Sequence, residues 1–232
     1  MVANLPWRPA AIVFDLDGTL VDSRRDLATA INRVRVELGL APISIPEIVA
    51  MVGEGARLLV ERALGPDFPP EKFDAAFARY FEFYADVLLD ETVPYEGVPE
   101  MLAELAERYP LALLTNKGER FSCAILEGLG LAKHFRVIVG GDSLSTRKPD
   151  PEGLLHIAKR LGCSPQELLL VGDSRFDAET ARAAGCRFAL VEWGFPNVEE
   201  RAEIAADWRV SKARQLVALL NEDPELAQEQ RG

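Results

Sequence analysis

Short apolar runs bounded by turn residues recur along the chain, at residues 11–15, 111–115, 137–141, 168–172 and 188–192. Unbroken apolar stretches of this length fit strands buried on both faces. Between the later runs, apolar positions fall at helical spacing. Val98, Met101, Leu102, Leu105 and Tyr109 share one face, as do Phe121, Ile125, Leu126 and Leu129, and then Leu154, Leu155, Ala158 and Leu161. Strand–helix alternation predicts a parallel sheet with crossover helices on its faces. One interval breaks the rhythm. Between the first run and the second lie roughly ninety residues, against about thirty for an ordinary βαβ unit. Their pattern is helical: Leu27, Ala30, Ile31, Val34 and Leu38 form one stripe ended by Gly39, and Phe73, Phe77, Tyr80, Phe81 and Tyr84 form an aromatic stripe. A stripe of that kind is read as core rather than as a ligand site.

The predicted architecture is therefore α/β. A Rossmann-like parallel-sheet core, residues 1–21 and 94–232, carries an all-helical cap, residues 22–93, inserted after the first strand. A unit inserted there lies over the carboxyl ends of the strands, where open α/β sheets bind ligands.

Composition narrows the function. A chain of 232 residues, 48% hydrophobic, suits one α/β domain with a smaller companion. A net charge of −11 without a basic stretch argues against a nucleic-acid partner. It does not bar an anionic substrate, because a bound cation and one lysine can make a local positive pocket. Cys123, Cys163 and Cys186 are widely spaced and form no CxxC, and His134 and His156 have no neighbour at zinc-ligand spacing. Pro6 and Pro9 interrupt the start of the chain, which has no apolar segment like that of a signal peptide, and no run reaches membrane length. The expectation is a cytoplasmic protein with no membrane partner, monomer or homodimer, whose polar tail from Asn221 is frayed.

The candidate chemistry gathers at the ends of the strands. The first gives Asp15-Leu16-Asp17-Gly18-Thr19-Leu20-Val21-Asp22, the second Thr115-Asn116-Lys117, and the fourth Gly172-Asp173-Ser174 and then Asp177; Lys148 follows the third. These sets converge on one rim if the sheet is parallel. Paired carboxylates at a strand end call for a cation, and a cation so held commonly carries a phosphate. A carboxylate can attack phosphorus, magnesium offsets the repulsion between the two anions, and lysine and threonine bind phosphate oxygens. Asp15 and Asp173 are the natural metal pair, with Asp177 supporting them. Asp17 is placed to carry the proton. Asp22-Ser23 reads equally as a helix cap. Glycine stands too early after Asp15 for a calcium loop, and neither a dinucleotide fingerprint nor a P-loop occurs.

The ordered set Asp15-x-Asp17-Gly-Thr, Thr115-Asn-Lys, Lys148-Pro and Gly-Asp173-Ser-Arg-Phe-Asp177 resembles the haloacid dehalogenase-like superfamily. The resemblance implies Mg2+ as cofactor, Asp15 as nucleophile, Asp17 as acid and base, and Thr115 and Lys148 on the phosphoryl group. It also implies Asp173 as a metal ligand, with the Asp17 backbone carbonyl as another. An acidic residue at position 17 resembles the members that hydrolyse phosphate esters. Stretches 52–64, 94–98 and 172–185 are similar to the phosphoglycolate phosphatase branch, although Glu54 and Gly118 stand where asparagine and proline are common. The implied activity is hydrolysis of a small phosphorylated metabolite, 2-phosphoglycolate foremost. The substrate-binding candidates are Thr115, Asn116, Lys117 and Lys148, with Arg57 or Lys117 meeting the substrate carboxylate. Another small ester, a pyrophosphate or a phosphomutase reaction would use the same parts. A phospho-acceptor signalling module would also use an acidic pocket, but it needs an exposed face that a helical insert would cover.

Overall fold

A computed structural model describes residues 7–221, so most of the polar tail lies outside the described residues. The chain opens with β1 (Ala11–Phe14) and the two-residue strand β2 (Val21–Asp22). Four helices follow: α1 (Arg24–Glu37), α2 (Ile45–Val49), α3 (Ala56–Leu64) and α4 (Pro70–Val87). The short strand β3 (Val93–Pro94) leads to α5 (Val98–Ala106), β4 (Leu111–Leu114), α6 (Glu119–Gly128) and β5 (Phe135–Val139). Then come α7 (Glu152–Leu161), β6 (Leu168–Gly172), α8 (Arg175–Ala184) and β7 (Arg187–Val191). The described chain ends with α9 (Val198–Ala202), β8 (Trp208–Val210) and α10 (Ala213–Asn221).

The apolar runs pair in parallel into a six-stranded sheet of order β5-β4-β1-β6-β7-β8. Every residue of β1, β4 and β6 is buried, which is why these strands read as continuous apolar runs. Alternate residues of β1 serve opposite faces. Ile12 and Phe14 join one apolar cluster with residues of α5, α6 and α10, while Ala11 and Val13 join a second with α7 and α8. Each large aliphatic side chain buried in this way contributes about 1.5–3 kcal/mol. The edge strand β5 leaves Arg136 exposed, so only part of it reads as an apolar run. On α7 the buried face runs through Leu154, Ile157 and Ala158, and Leu155 of the sequence-derived stripe is 46% exposed. One step along a helix rotates a side chain by about 100°, which carries Leu155 off the face.

Three short strands have no counterpart in the sequence pattern. Strand β8 is only three residues long and closes the sheet beside β7. Strands β2 and β3 form an antiparallel ribbon, with Val21 opposite Pro94 and Asp22 opposite Val93. The helices α1–α4 lie between its two strands and share a third apolar cluster, built on Leu27, Ile31, Ile48, Val60, Tyr80 and Tyr84. Buried Asp26, on α1, accepts hydrogen bonds from the Glu91 and Thr92 backbone N–H groups and from the Thr92 hydroxyl. The two ends of the helical insertion are thereby tied together. Among the described residues no helix is long and apolar enough to cross a membrane.

Candidate active site

β1 is central, paired with β4 on one side and β6 on the other, and strand order reverses there. Open α/β sheets form their binding crevice at such a point. Asp15 is the first residue beyond β1, and its N–H still bonds the Val171 carbonyl at 2.9 Å. Thr115 follows β4 in the same way, its N–H on the Val139 carbonyl at 3.0 Å. Asp173 follows β6, and Asp177 lies in the first turn of α8. The sheet register thus carries Asp15, Thr115 and Asp173 to one rim.

Lys148 comes from the loop after β5 and is buried between two carboxylates, 2.8 Å from Asp15 Oδ1 and 2.6 Å from Asp177 Oδ1. Asp177 Oδ2 accepts from the Ser174 N–H and hydroxyl, a capping box that starts α8 and fixes the carboxylate. Asp173 Oδ2 accepts from the Phe195 N–H at 2.7 Å. A Cβ at Gly18, whose φ is +84°, would collide with the Asp173 carboxylate, so the turn after Asp17 requires glycine on two counts.

Asp15, Asp173 and Asp177 are all buried, and one oxygen from each lies within 4.8 Å of the others. One lysine faces these three acids, so the cluster is short of positive charge. Burial pushes the Asp15 carboxyl up to about 6; Lys148 opposes this and Asp177 reinforces it. Burial, with Asp15 and Asp177 nearby, also holds Asp173 well above the ordinary carboxylate range. Lys148 is lowered by burial but raised more strongly by its two acidic partners, so it stays charged. Buried oxygen donors with excess negative charge suit a hard cation, and the cluster can hold a metal ion. Asp177 spends both oxygens on Lys148 and Ser174, whereas no hydrogen bond among the described residues occupies the second oxygen of Asp15 or the Oδ1 of Asp173.

Asp17 is held from two sides. Its Oδ2 lies 2.8 Å from Lys117 Nζ, and its Oδ1 accepts the Ser23 hydroxyl. Lys117 Nζ also donates to the Tyr84 hydroxyl at 2.7 Å, and burial keeps the Tyr84 phenol neutral by raising it well above its ordinary range. Asn116 lines the cleft but is fully used: its amide donates to the Gly53 and Lys148 carbonyls at 2.7 and 2.9 Å, and its oxygen accepts the Lys148 N–H at 2.9 Å. Arg57 is not brought to the cleft. Its guanidinium pairs with Asp74 at 3.2 Å and lies over the Phe73 ring, more than half exposed. Glu54 does line the cleft, and Arg62 neutralises it at 2.5 Å. Asp22 pairs with Arg24 and accepts its backbone N–H, a local turn rather than a place in the acidic cluster.

Sequence reasoning places Ser174 at the rim without its part as a cap, assigns Ser23 and Tyr84 no contact with the site residues, and does not find the Phe195 N–H. Ser174 carried a signal, the Ser-x-x-Asp spacing of a capping box. Tyr84 was grouped with the apolar stripe, and it is both: its ring stacks on Tyr80 at 5.7 Å while its hydroxyl meets Lys117.

Residues 12–191 match the haloacid dehalogenase-like hydrolase family, and the chain belongs to that family. It is 42% identical over 215 residues to the phosphoglycolate phosphatase of Chromobacterium violaceum, covering 90% of this chain and 96% of that one. Phosphoglycolate phosphatase 1 of Pseudomonas aeruginosa is 39% identical over 225 residues, with 94% and 82% covered. The crystal structure of a predicted phosphoglycolate phosphatase from Haemophilus somnus superposes with a TM-score of 0.87 at 29% identity, covering 94% of this chain and 99% of that one.

Proposed function

We propose that this chain is a magnesium-dependent phosphatase of small phosphate monoesters, with 2-phosphoglycolate its favoured substrate and glycolate and phosphate its products. One observation carries the reading: Lys148 is buried between Asp15 and Asp177, with Asp173 beside them, at the crevice of the parallel sheet. Asp15 attacks phosphorus in line, forming the Asp15–phosphorus bond as the bond to the ester oxygen breaks. Asp17, ionised in its pair with Lys117, takes up a proton from solvent as substrate binds and gives it to the leaving glycolate oxygen. It then takes a proton from the water that attacks the aspartyl phosphate, so that phosphate leaves and Asp15 is restored. Lys148, Thr115 and nearby backbone N–H groups bind the phosphoryl oxygens.

Asp15, Asp173 and the Asp17 carbonyl would hold the magnesium ion, with Asp177 orienting its neighbours through Lys148 and Ser174. The ion supplies charge that offsets repulsion between the Asp15 carboxylate and the phosphate dianion. Helices α1–α4 act as a cap over the crevice. Lys117 lines the cleft, and its third ammonium proton is assigned to the substrate carboxylate. A small anionic metabolite as substrate is in keeping with action in the cytoplasm.

The test is phosphate release from a panel of small esters, with magnesium or with a chelator. Phosphoglycolate should show the highest kcat/KM, and the chelator should abolish turnover. A tenfold preference for another ester overturns the substrate, and undiminished turnover without metal overturns the metal requirement.

A further inference from the structure

Both oxygens of the Asp17 carboxylate are engaged, and both tethers lead to the helical insertion. Ser23 stands between β2 and the first residue of α1, where a serine ordinarily accepts a hydrogen bond from the helix backbone. Here its side chain makes no such cap, and its hydroxyl donates to Asp17 instead. The second tether runs through Lys117 to Tyr84, in the last turn of α4. Tyr84 is 2% exposed and packs against two rings, Tyr80 at 5.7 Å and Phe121 at 5.2 Å. Its hydroxyl is thus a rigid point of the insertion from which Lys117 is aimed. The side chains of Lys117 and Asp17 are only 7% and 12% exposed, so water does not compete freely for this chain of contacts.

We propose that Tyr84 and Ser23 are positioning residues through which the insertion fixes the carboxyl group of Asp17, Tyr84 acting by way of Lys117. Neither residue touches the reacting atoms. The insertion then does more than cover the crevice: its seating on the sheet decides whether the proton carrier points at the leaving oxygen. The inference rests on the acid role proposed for Asp17.

Phenyl phosphate and p-nitrophenyl phosphate separate the effect from substrate binding, because neither carries a carboxylate and they differ in how much their leaving oxygen needs a proton. Tyr84→Phe keeps the ring and its stacking. It should lower kcat/KM for phenyl phosphate about tenfold, and for p-nitrophenyl phosphate by about twofold or less. Lys117→Met should show the same selectivity, and adding Tyr84→Phe to it should cost nothing further. Ser23→Ala, which removes the other tether, should also spare the p-nitrophenyl ester. Equal losses on both esters, or additive losses in the double variant, overturn the inference. Asp17→Asn on the same two esters tests the underlying role separately. A uniform loss there overturns the acid assignment itself, whereas a selective loss there with a silent Tyr84→Phe overturns only the positioning.

Discussion

At the rim of the sheet, opposite charges lie almost out of water: the Lys148 and Asp15 side chains are 3% and 9% exposed. In the helical insertion the pairs sit in solvent, with Arg57 and Asp74 at 56% and 87% and Arg79 and Glu37 at 41% and 47%. Pairs of the second kind contribute about 0–1 kcal/mol each. The insertion is held instead by apolar and aromatic packing, including a row of rings from Phe73 through Phe77 and Phe81 to Phe121 of α6. The rim carries the opposite arrangement. Burying three acids around one lysine is unfavourable in itself, as the raised Asp15 and Asp173 carboxyls record. The difference teaches that the rim is arranged for its ligands and the insertion for its own cohesion.

The sharpest way to break this comparison is at the rim. Asp15→Asn should reduce phosphate release by roughly three orders of magnitude or more, because an amide cannot take the nucleophile's role proposed for Asp15. The same change should leave the melting temperature of the metal-free protein unchanged or higher, since it removes an unfavourable buried charge. Retention of a few per cent activity would remove Asp15 from the role.

Lys148→Met strips the acids of their cation. A loss of about 3–5 kcal/mol in urea unfolding at neutral pH is expected, the cost of leaving buried charges unpaired. A loss below about 1 kcal/mol would make this pair no different from one at the surface.

Acidity gives the next effect. The folded Asp15 carboxyl sits at about 6 against an ordinary 3.8, so the folded chain binds more protons than the unfolded chain between those values. The stability this group contributes is complete below the lower value and is lost as pH rises through the upper one. The loss is on the order of 1–3 kcal/mol, and Asp173 acts in the same direction. A metal ion bound by the ionised acids reverses that loss. Magnesium should therefore raise the melting temperature more at pH 7 than at pH 5, and an equal shift at both would count against the acidic cluster as its site.

The smallest effect belongs to the insertion. Arg57→Ala should cost about 0.5–1.5 kcal/mol, from one exposed pair and two guanidinium–ring contacts, with Phe73 and Phe77, and leave KM for phosphoglycolate unchanged. A tenfold rise in KM would bring Arg57 back to the substrate.

The strands at the centre of the sheet were legible because burial on both faces demands unbroken apolar residues, and the strand-end acids were legible because such runs deliver them. Strand β8 and the β2–β3 ribbon were not, since two or three residues cannot display a period. Ser23 and Tyr84 escaped for another reason. Their spacing fits a cap and a core stripe, and only the seating of the insertion on the sheet joins them to Asp17 and Lys117. Arg57 shows the converse: a plausible cation near the loop at Gly53 and Gly55 is turned by the helix toward Asp74.

The ribbon of β2 and β3 has one further consequence. The chain departs from the sheet domain and returns to it at directly paired residues, Val21 opposite Pro94. Whatever lies between those two points can change in length or sequence without stretching the sheet or moving Asp15. The fold therefore has a socket: one contiguous stretch of gene can be exchanged while the sheet keeps its register, provided the replacement again supplies the contacts that Ser23 and Tyr84 make with Asp17 and Lys117.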